Sequence, residues 1–208
     1  MIGSVLVGSN AQIVDVILNL HSAGYRVLDT TWGKGNFWMP HQERWQVVGL
    51  DIEGRPGILA RASYEALPFK DRVFDAVICD PPFLGSGGKN GLMVGKYGIN
   101  TSMKALFISL QRGDGEFYRV LKPRGILLFK CMDTVEGRRH VWTHIIAPSL
   151  FRSFRLRDLF IRPNGVTAIA WNWANQTHAK AMHTYFMVFG RRKQRPGPAL
   201  AAPLMTLL

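Results

Sequence analysis

The feature that most constrains the fold is an alternation of short strand-forming runs with helical segments. Five runs have the apolar, β-rich composition of buried strands: Arg26 to Asp29, Trp45 to Ile52, Ile58 to Ala62, Phe74 to Cys79 and Ile126 to Cys131. Ser9 and Gln12 form a capping-box pair that opens a first helix, and a second helical pattern runs from about Met103 to Leu121. This alternation predicts an α/β fold with a largely parallel sheet.

The later part of the chain has a different pattern. Val135 to Leu150 is predicted to be helical, whereas Phe154 to Ile161 and Tyr185 to Phe189 have strand composition with no clear helix between them. These two strands are expected to form an antiparallel hairpin at one sheet edge. Residues 191–208 are basic and then rich in Pro and Ala, so we expect a mobile tail after a single catalytic domain, residues 1–190.

Composition narrows the class of protein. The 208-residue chain is 47% hydrophobic, and its 26 Lys and Arg against 14 Asp and Glu give a formal net charge of +12, which favours nucleic acid as a partner. Both cysteines, Cys79 and Cys131, lie in apolar runs, so we expect neither a disulfide framework nor a metal site. A leader pattern and a run of roughly 18 apolar residues are both missing, which predicts a cytoplasmic protein.

A glycine turn follows the first predicted strand. Gly33 and Gly35 come directly after it, and glycines there let the backbone approach a ligand closely. Asp51 ends the second strand, about 20 residues downstream of Asp29, where such folds usually hold a ribose hydroxyl pair. Trp38 replaces the third glycine of a dinucleotide fingerprint, so adenosine without a diphosphate fits better than NAD. Taken alone, two glycines at this spacing fit an ordinary tight turn better; the strand before them and Asp51 after them favour the cofactor site.

The tetrapeptide Asp80-Pro81-Pro82-Phe83 follows the apolar strand that ends at Cys79. Ligands of open α/β sheets bind at the carboxyl ends of strands. An exocyclic amino nitrogen is a poor nucleophile, and the Asp80 carboxylate with the Pro81 carbonyl would accept hydrogen bonds from its two hydrogens. Phe83 would stack on the base. The alternative is a rigid strand-to-loop turn with Phe83 in the core.

The order of glycine turn, acid and Asp-Pro-Pro-Phe resembles the class I S-adenosylmethionine-dependent amino-methyltransferases, especially the DNA adenine-N6 and cytosine-N4 enzymes. Further matching elements are Leu67-Pro68-Phe69, Leu121-Lys122-Pro123-x-Gly125 and His183-x-Tyr185-x-x-Val188-Phe189, and the resemblance covers roughly Ser9 to Gly190. It implies a Rossmann-like, mostly parallel seven-stranded sheet with helices on both faces and an antiparallel edge hairpin. It also implies S-adenosylmethionine as cofactor and adenine N6 as target.

The motifs and the resemblance together assign the site residues. The catalytic residues are Asp80, Pro81, Pro82 and Phe83. The cofactor residues are Asp29, Thr30, Gly33, Gly35, Asn36, Phe37, Asp51, Ile52 and Ser63. Ser63 occupies a position where relatives often have an acid. No metal ligands are assigned, because His140 and His144 have no third partner in the sequence pattern.

Several segments are candidates for holding the substrate. The glycine-rich stretch from Leu84 to Gly98 predicts a lid that brings Lys89, Lys96 and Tyr97 to the substrate, with a surface loop of no function as the alternative. The family likeness puts His183 and Tyr185 on the substrate side, although both equally fit a strand start. One weaker candidate is a phosphate track formed by basic residues: Arg138, Arg139, His140, Arg152, Arg155 and Arg157. Another is a pair of residues that could stack on bases, Trp171 and Trp173.

The leading hypothesis is therefore a DNA adenine-N6 methyltransferase. An RNA base N-methyltransferase is the close rival, because RNA needs no duplex-reading domain. A protein glutamine methyltransferase and an inactive nucleic-acid-binding subunit remain as less favoured alternatives. The catalytic core leaves no segment for a separate target-recognition domain, so specificity would come from loops, a partner chain or a homodimer.

Overall fold

Nine strands and three α-helices are defined in a computed structural model, which describes residues 2–38, 42–83, 102–136, 139–164 and 183–194. The strands are β1 Arg26–Asp29, β2 Gln46–Asp51, β3 Ala60–Arg61, β4 Phe74–Cys79, β5 Leu121–Cys131, β6 Thr134–Glu136, β7 Arg139–Val141, β8 Phe154–Pro163 and β9 His183–Arg191. The helices are α1 Asn10–His21, α2 Met103–Val120 and α3 Thr143–Leu150.

Seven strands form one sheet in the order β3-β2-β1-β4-β5-β9-β8. The first five strands in this order, β3 to β5, are parallel to one another. Strand β9 is antiparallel to both β5 and β8. The predicted mostly parallel sheet with an antiparallel edge hairpin is therefore confirmed. The strand order reverses between β1 and β4, and ligands of such sheets bind in the crevice outside the carboxyl ends at that point.

Helices pack on both faces of the sheet, as predicted. α1 buries Ile13 and Ile17 in one apolar layer, together with Ile126 and Leu128 of β5. α2 and α3 pack in the layer on the opposite face, which includes Phe129 of β5. The alternation of inward-facing residues along β5 is the reason that one strand contributes to both layers. The capping box of α1 also forms, with Ser9 and Gln12 bonding reciprocally at 2.9 and 3.2 Å.

The helix predicted from Val135 to Leu150 was wrong in its first half. Strands β6 and β7 form an antiparallel hairpin there, with Val135 opposite His140, and only Thr143 onward is helical. Asp133, which precedes the hairpin, explains the start of α3. Its Oδ1 accepts from the backbone N–H of His144 at 3.4 Å, so a residue distant in sequence satisfies a donor in the first turn.

Strand β5 begins earlier than predicted, at Leu121 rather than Ile126. Leu121 pairs with Phe74, and the register then shifts before Ile126 pairs with Ala76. Arg124 adopts a φ of 69° in this irregular stretch. At the other end of the chain, β9 extends through Arg191, while residues 195–208 of the predicted tail lie outside the described residues. In the described parts of the chain, no helix is long and apolar enough to cross a membrane.

Candidate active site

A cavity of about 540 Å³ lies at the carboxyl ends of β1, β2 and β4. It brings together most of the site residues that the sequence predicted: Thr30, Gly33, Asn36, Phe37, Asp51, Ile52, Ser63, Asp80, Pro81, Pro82 and Phe83. The glycine turn, the acid after β2 and the tetrapeptide after β4 therefore face the same space. Asp29 and Gly35 are the two predicted cofactor residues that do not line it.

Asp51 holds the glycine turn in place. Its Oδ2 accepts a 2.8 Å hydrogen bond from the backbone N–H of Gly33, and its Oδ1 accepts one from Glu53 at 2.9 Å. Gly33 and Gly35 have φ values of 57° and 71°, in the left-handed region that favours glycine. Each Asp51 oxygen keeps a further lone pair, so the carboxylate retains acceptor capacity toward the cavity.

Trp32, inside the turn, was not predicted as a site residue. Its indole N–H donates to the carbonyl of Pro56 at 3.1 Å, and its ring packs against Gly35, Gly49 and Gly57. A Cβ atom at Gly49 would lie only 2.4 Å from the ring. The ring also lines the cavity, so these glycines allow an aromatic wall to lie directly on the backbone.

Asp29 lies behind the turn and is almost completely buried. Thr31 N–H donates to its Oδ1 at 3.0 Å, and the Trp38 indole donates to its Oδ2 at 2.8 Å. Burial raises the pKa of this carboxyl to about 7, although both hydrogen bonds oppose the shift. Asp29 therefore supports the turn from inside the protein.

A second polar group lies in the part of the cavity lined by residues after β3. Ser63 accepts from the backbone N–H of Glu65 at 3.1 Å, and Glu65 bonds Ser109 of α2. The Tyr64 hydroxyl lies 2.8 Å from the Ser109 hydroxyl, and all four residues line the cavity. Of these four residues, only Ser63 was predicted as a site residue from the sequence. Glu65 could have been predicted as well, because it is a carboxylate only two positions after Ser63.

The tetrapeptide is joined directly to the turn after β1. The backbone N–H of Asp80 donates to Thr31 Oγ1 at 2.7 Å. Thr30 donates through both its N–H and its hydroxyl to the carbonyl of Ile78, at 3.0 and 2.9 Å. These bonds fix the position of Asp80 relative to the glycine turn.

Lys130, near the end of β5, forms an ion pair with Asp80. Its Nζ lies 2.8 Å from Asp80 Oδ2. Burial raises the pKa of the Asp80 carboxyl, and the Lys130 ammonium opposes that rise. Lys130 was not predicted as a site residue, because it lies in an apolar run that predicts a buried strand. A lysine in such a run does indicate a buried ion pair, since lysine is almost never fully buried unless it is paired.

Phe83 has a limited surface available to a ligand. Its ring packs edge-to-face on Phe129, with centroids 5.9 Å apart, and the residue is 9% exposed. It lines the cavity and also belongs to the core layer of α2 and α3. Phe83 therefore packs in the core, as the alternative predicted, and also reaches the cavity in which the stacking contact was predicted.

His183 and Tyr185 belong to a polar network beside the cavity. The Tyr185 hydroxyl lies 2.7 Å from His183 Nε2 and donates to Asp133 Oδ2 at 3.2 Å. The His144 ring stacks on Tyr185 at 4.3 Å and bonds Asp133 through Nδ1 at 2.9 Å. Burial, with Asp133 adding to it, raises the pKa of Tyr185 to about 12. Thr184, between the two predicted residues, lines the cavity.

The arginines of the predicted phosphate track do not all lie at the same end of the sheet. Phe154 pairs with Arg191 and Pro163 pairs with His183, so Arg155 and Arg157 lie in the half of β8 away from the carboxyl end of β5. Arg139 lies on the hairpin that follows β5 and is exposed. The other substrate candidates lie outside the described residues: Lys89, Lys96, Tyr97, Arg138, Trp171 and Trp173.

Comparison with solved structures supports the fold. The 1,6-didemethyltoxoflavin N1-methyltransferase from Burkholderia thailandensis, with S-adenosylhomocysteine bound, is 17% identical, with a TM-score of 0.54 over 88% of this chain and 78% of that one. A SAM-dependent methyltransferase from Methanosarcina mazei has 13% identity and a TM-score of 0.53, over 85% and 96% of the two chains. The N-methyltransferase NodS from Bradyrhizobium japonicum has 10% identity and a TM-score of 0.53, over 88% and 93%.

Neither a protein-family model nor a curated protein sequence matches this chain. The likeness is therefore one of structure, at sequence identities too low to carry substrate or activity from one protein to another. It is consistent with the strand order and the position of the cavity. The chain has the Rossmann-like fold found in SAM-dependent methyltransferases.

Proposed function

We propose that the protein is an S-adenosylmethionine-dependent methyltransferase that acts on an exocyclic amino group of a nucleic-acid base, with adenine N6 in DNA as the favoured target. The observation that carries this proposal is the placement of the Asp80-Pro81-Pro82 backbone in the same cavity as Gly33 and Asp51. One cavity thus offers a close backbone approach for a nucleoside cofactor and acceptor groups for an amino nitrogen.

The residues around the cavity fit the cofactor. Gly33 and the Trp32 wall would hold the cofactor near the backbone, and Asp51 would accept from the ribose hydroxyls. The polar group of Ser63 and Glu65 would face the adenine. When bound, S-adenosylmethionine supplies an electrophilic methyl group: the nitrogen lone pair forms the N–C bond, and the C–S electron pair passes to sulfur.

The tetrapeptide would localise the nitrogen lone pair of the target. The amino lone pair of a base is delocalised into the ring, so acceptors for both hydrogens favour the pyramidal, nucleophilic form. Asp80 and the Pro81 carbonyl would be these acceptors, while the part of Phe83 that faces the cavity would contact the base plane. The methylated nitrogen is cationic until it releases one proton, and the ionised Asp80 carboxylate would favour that charge.

Charge favours a nucleic acid over a small neutral substrate. The chain has a net charge of +12, and the exposed Arg139 lies on the hairpin that follows the carboxyl end of β5. Strand β5 pairs with β4, the strand that Asp80 follows. Adenine and DNA, rather than cytosine or RNA, are favoured by the family likeness of Asp-Pro-Pro-Phe.

The direct test is radiolabelled methyl transfer from S-adenosylmethionine to duplex DNA, single-stranded DNA and RNA, followed by nucleoside mass analysis. Label recovered as N6-methyladenine in DNA supports the proposal, and label in RNA alone would assign the RNA alternative. Asp80→Ala should lose transfer by at least about 100-fold while S-adenosylhomocysteine still binds. Asp71→Ala is the control, since its carboxylate is 69% exposed on the surface and bonds Arg119.

A further inference from the structure

Lys130 interrupts an apolar run on β5 at the point where the strand reaches the cavity. Leu128 and Phe129 before it and Cys131 after it are buried, whereas Lys130 points its ammonium into the site, with a side chain that is 15% exposed. Besides its 2.8 Å contact with Asp80, its Nζ lies 5.6 Å from the centre of the Phe37 ring. A lysine held in such surroundings without its carboxylate partner would be costly.

Apart from Lys130, the described residues around Asp80 are unfavourable for a carboxylate. Asp29, at the end of β1, interacts electrostatically with Asp80, and the two carboxylates repel each other when both are ionised. Burial raises the pKa of the Cys79 and Cys131 thiols, so these two neighbouring groups stay neutral. Burial disfavours the charged form of Asp80 as well. Within the described parts of the chain, Lys130 is the cation that opposes the effect of burial.

We propose that Lys130 is a positioning residue that keeps Asp80 ionised and fixes its Oδ2, so that Oδ1 is the oxygen oriented to accept from the substrate amino group. This inference rests on the proposed function. The Pro81 carbonyl would then accept the second hydrogen, with Asp80 held in one orientation by Lys130. This arrangement also leaves Asp80 able to take the proton that the methylated nitrogen loses and to pass it to water.

The same strand offers a matched control. Lys122, at the other end of β5, bonds both oxygens of Asp75 on β4 at 2.9 and 3.0 Å. Lys122→Met therefore removes the same charge and a comparable ion pair from the same two strands, away from the cavity. The comparison of Lys130→Met with Lys122→Met separates an effect on Asp80 from a general loss of charge or of strand stability.

The first experiment is an NMR titration of the ligand-free protein labelled at the aspartate carboxyl carbon, with the Asp80 resonance assigned through Asp80→Asn. Lys130→Met should move the titration midpoint of Asp80 upward by at least about one pH unit, and Lys122→Met should leave it in place. Lys130→Arg should retain the wild-type midpoint. If Lys130→Met unfolds, Lys130→Gln takes its place in the same titration. An unchanged midpoint in the folded variant would overturn the inference.

The second experiment measures transfer to the nucleic acid that wild type methylates. Lys130→Met should lower kcat at pH 7 by about tenfold or more, with partial recovery at higher pH, while the dissociation constant of S-adenosylhomocysteine stays within about twofold. A uniform loss at every pH that Lys122→Met reproduces would mean that Lys130 has only a structural role. If wild type methylates no nucleic acid, the proposed function fails, and the NMR titration still decides the role of Lys130.

Discussion

The indole N–H of Trp38 donates a 2.8 Å hydrogen bond to Oδ2 of Asp29, a side chain that is only 1% exposed. Trp38 is the residue that replaces a glycine of the dinucleotide fingerprint, and it is itself buried. The substitution therefore has a structural result: a large ring fills the space beneath the turn and supplies a donor to the carboxyl that supports it. The hydrogen bond does not fully offset burial, since the pKa of Asp29 rises from 3.8 to about 7.

Asp29→Asn should change the pH dependence of stability. Because the folded protein binds the Asp29 proton more tightly than the unfolded chain, wild type loses up to about 1.4 kcal/mol of unfolding free energy per pH unit between about pH 4 and 7, and no more above that range. Asparagine has no proton to lose. The stability of the variant relative to wild type should therefore rise between pH 5 and 7 in urea unfolding. A difference that is constant with pH would show that Asp29 does not titrate there.

Gly49→Ala should damage the cavity wall. The added Cβ would lie 2.4 Å from the Trp32 ring, which packs between several glycines and has little room to move. We expect a loss of about 1 to 3 kcal/mol of stability and weaker binding of S-adenosylhomocysteine by calorimetry. Gly54→Ala is the control, because its Cβ would make only an ordinary 3.6 Å contact with Arg61. Equal behaviour of the two variants would contradict the assigned role of Trp32.

Asp51→Ala should weaken the binding of S-adenosylhomocysteine. The substitution removes the acceptor for Gly33 N–H and the proposed acceptor for the ribose. Hydrogen bonds to charged groups contribute about 1.5 to 3 kcal/mol, which corresponds to a loss of affinity of roughly 10- to 150-fold. Asp51→Asn keeps one acceptor oxygen and should lose less. An unchanged affinity in both variants would place the cofactor elsewhere.

The sequence predicted the parts of the fold that depend on local pattern. The apolar runs Arg26 to Asp29 and Phe74 to Cys79 became strands with those bounds, and Ser9 began the first helix. The cavity could also be predicted, because Gly33, Asp51 and Asp80 each follow or end a parallel strand, and the carboxyl ends of parallel strands meet at one edge of the sheet.

The errors and omissions arose where distant residues decide the structure. The hairpin of β6 and β7 replaced a predicted helical turn, and Asp133 rather than a neighbouring cap bonds the first turn of α3. The pairing of Lys130 with Asp80 needs β5 to lie beside β4, which a linear pattern does not specify. The position of the arginines of β8, away from the cavity, likewise depends on strand order and direction, which a linear pattern does not specify.

Tyr185→Phe should distinguish a supporting role of this residue from contact with the substrate. The hydroxyl bonds His183 and Asp133, and the residue is 7% exposed, so the substitution should lower stability by about 1 to 3 kcal/mol through the loss of a hydrogen bond to the buried Asp133 carboxylate, which His144 still contacts. The stacking of the ring on His144 would remain. We therefore expect a lower Tm with kcat/KM for nucleic acid within about twofold of wild type, after correction for the folded fraction. A large fall in kcat/KM without a change in Tm would instead place the hydroxyl against the substrate, as the family likeness predicts.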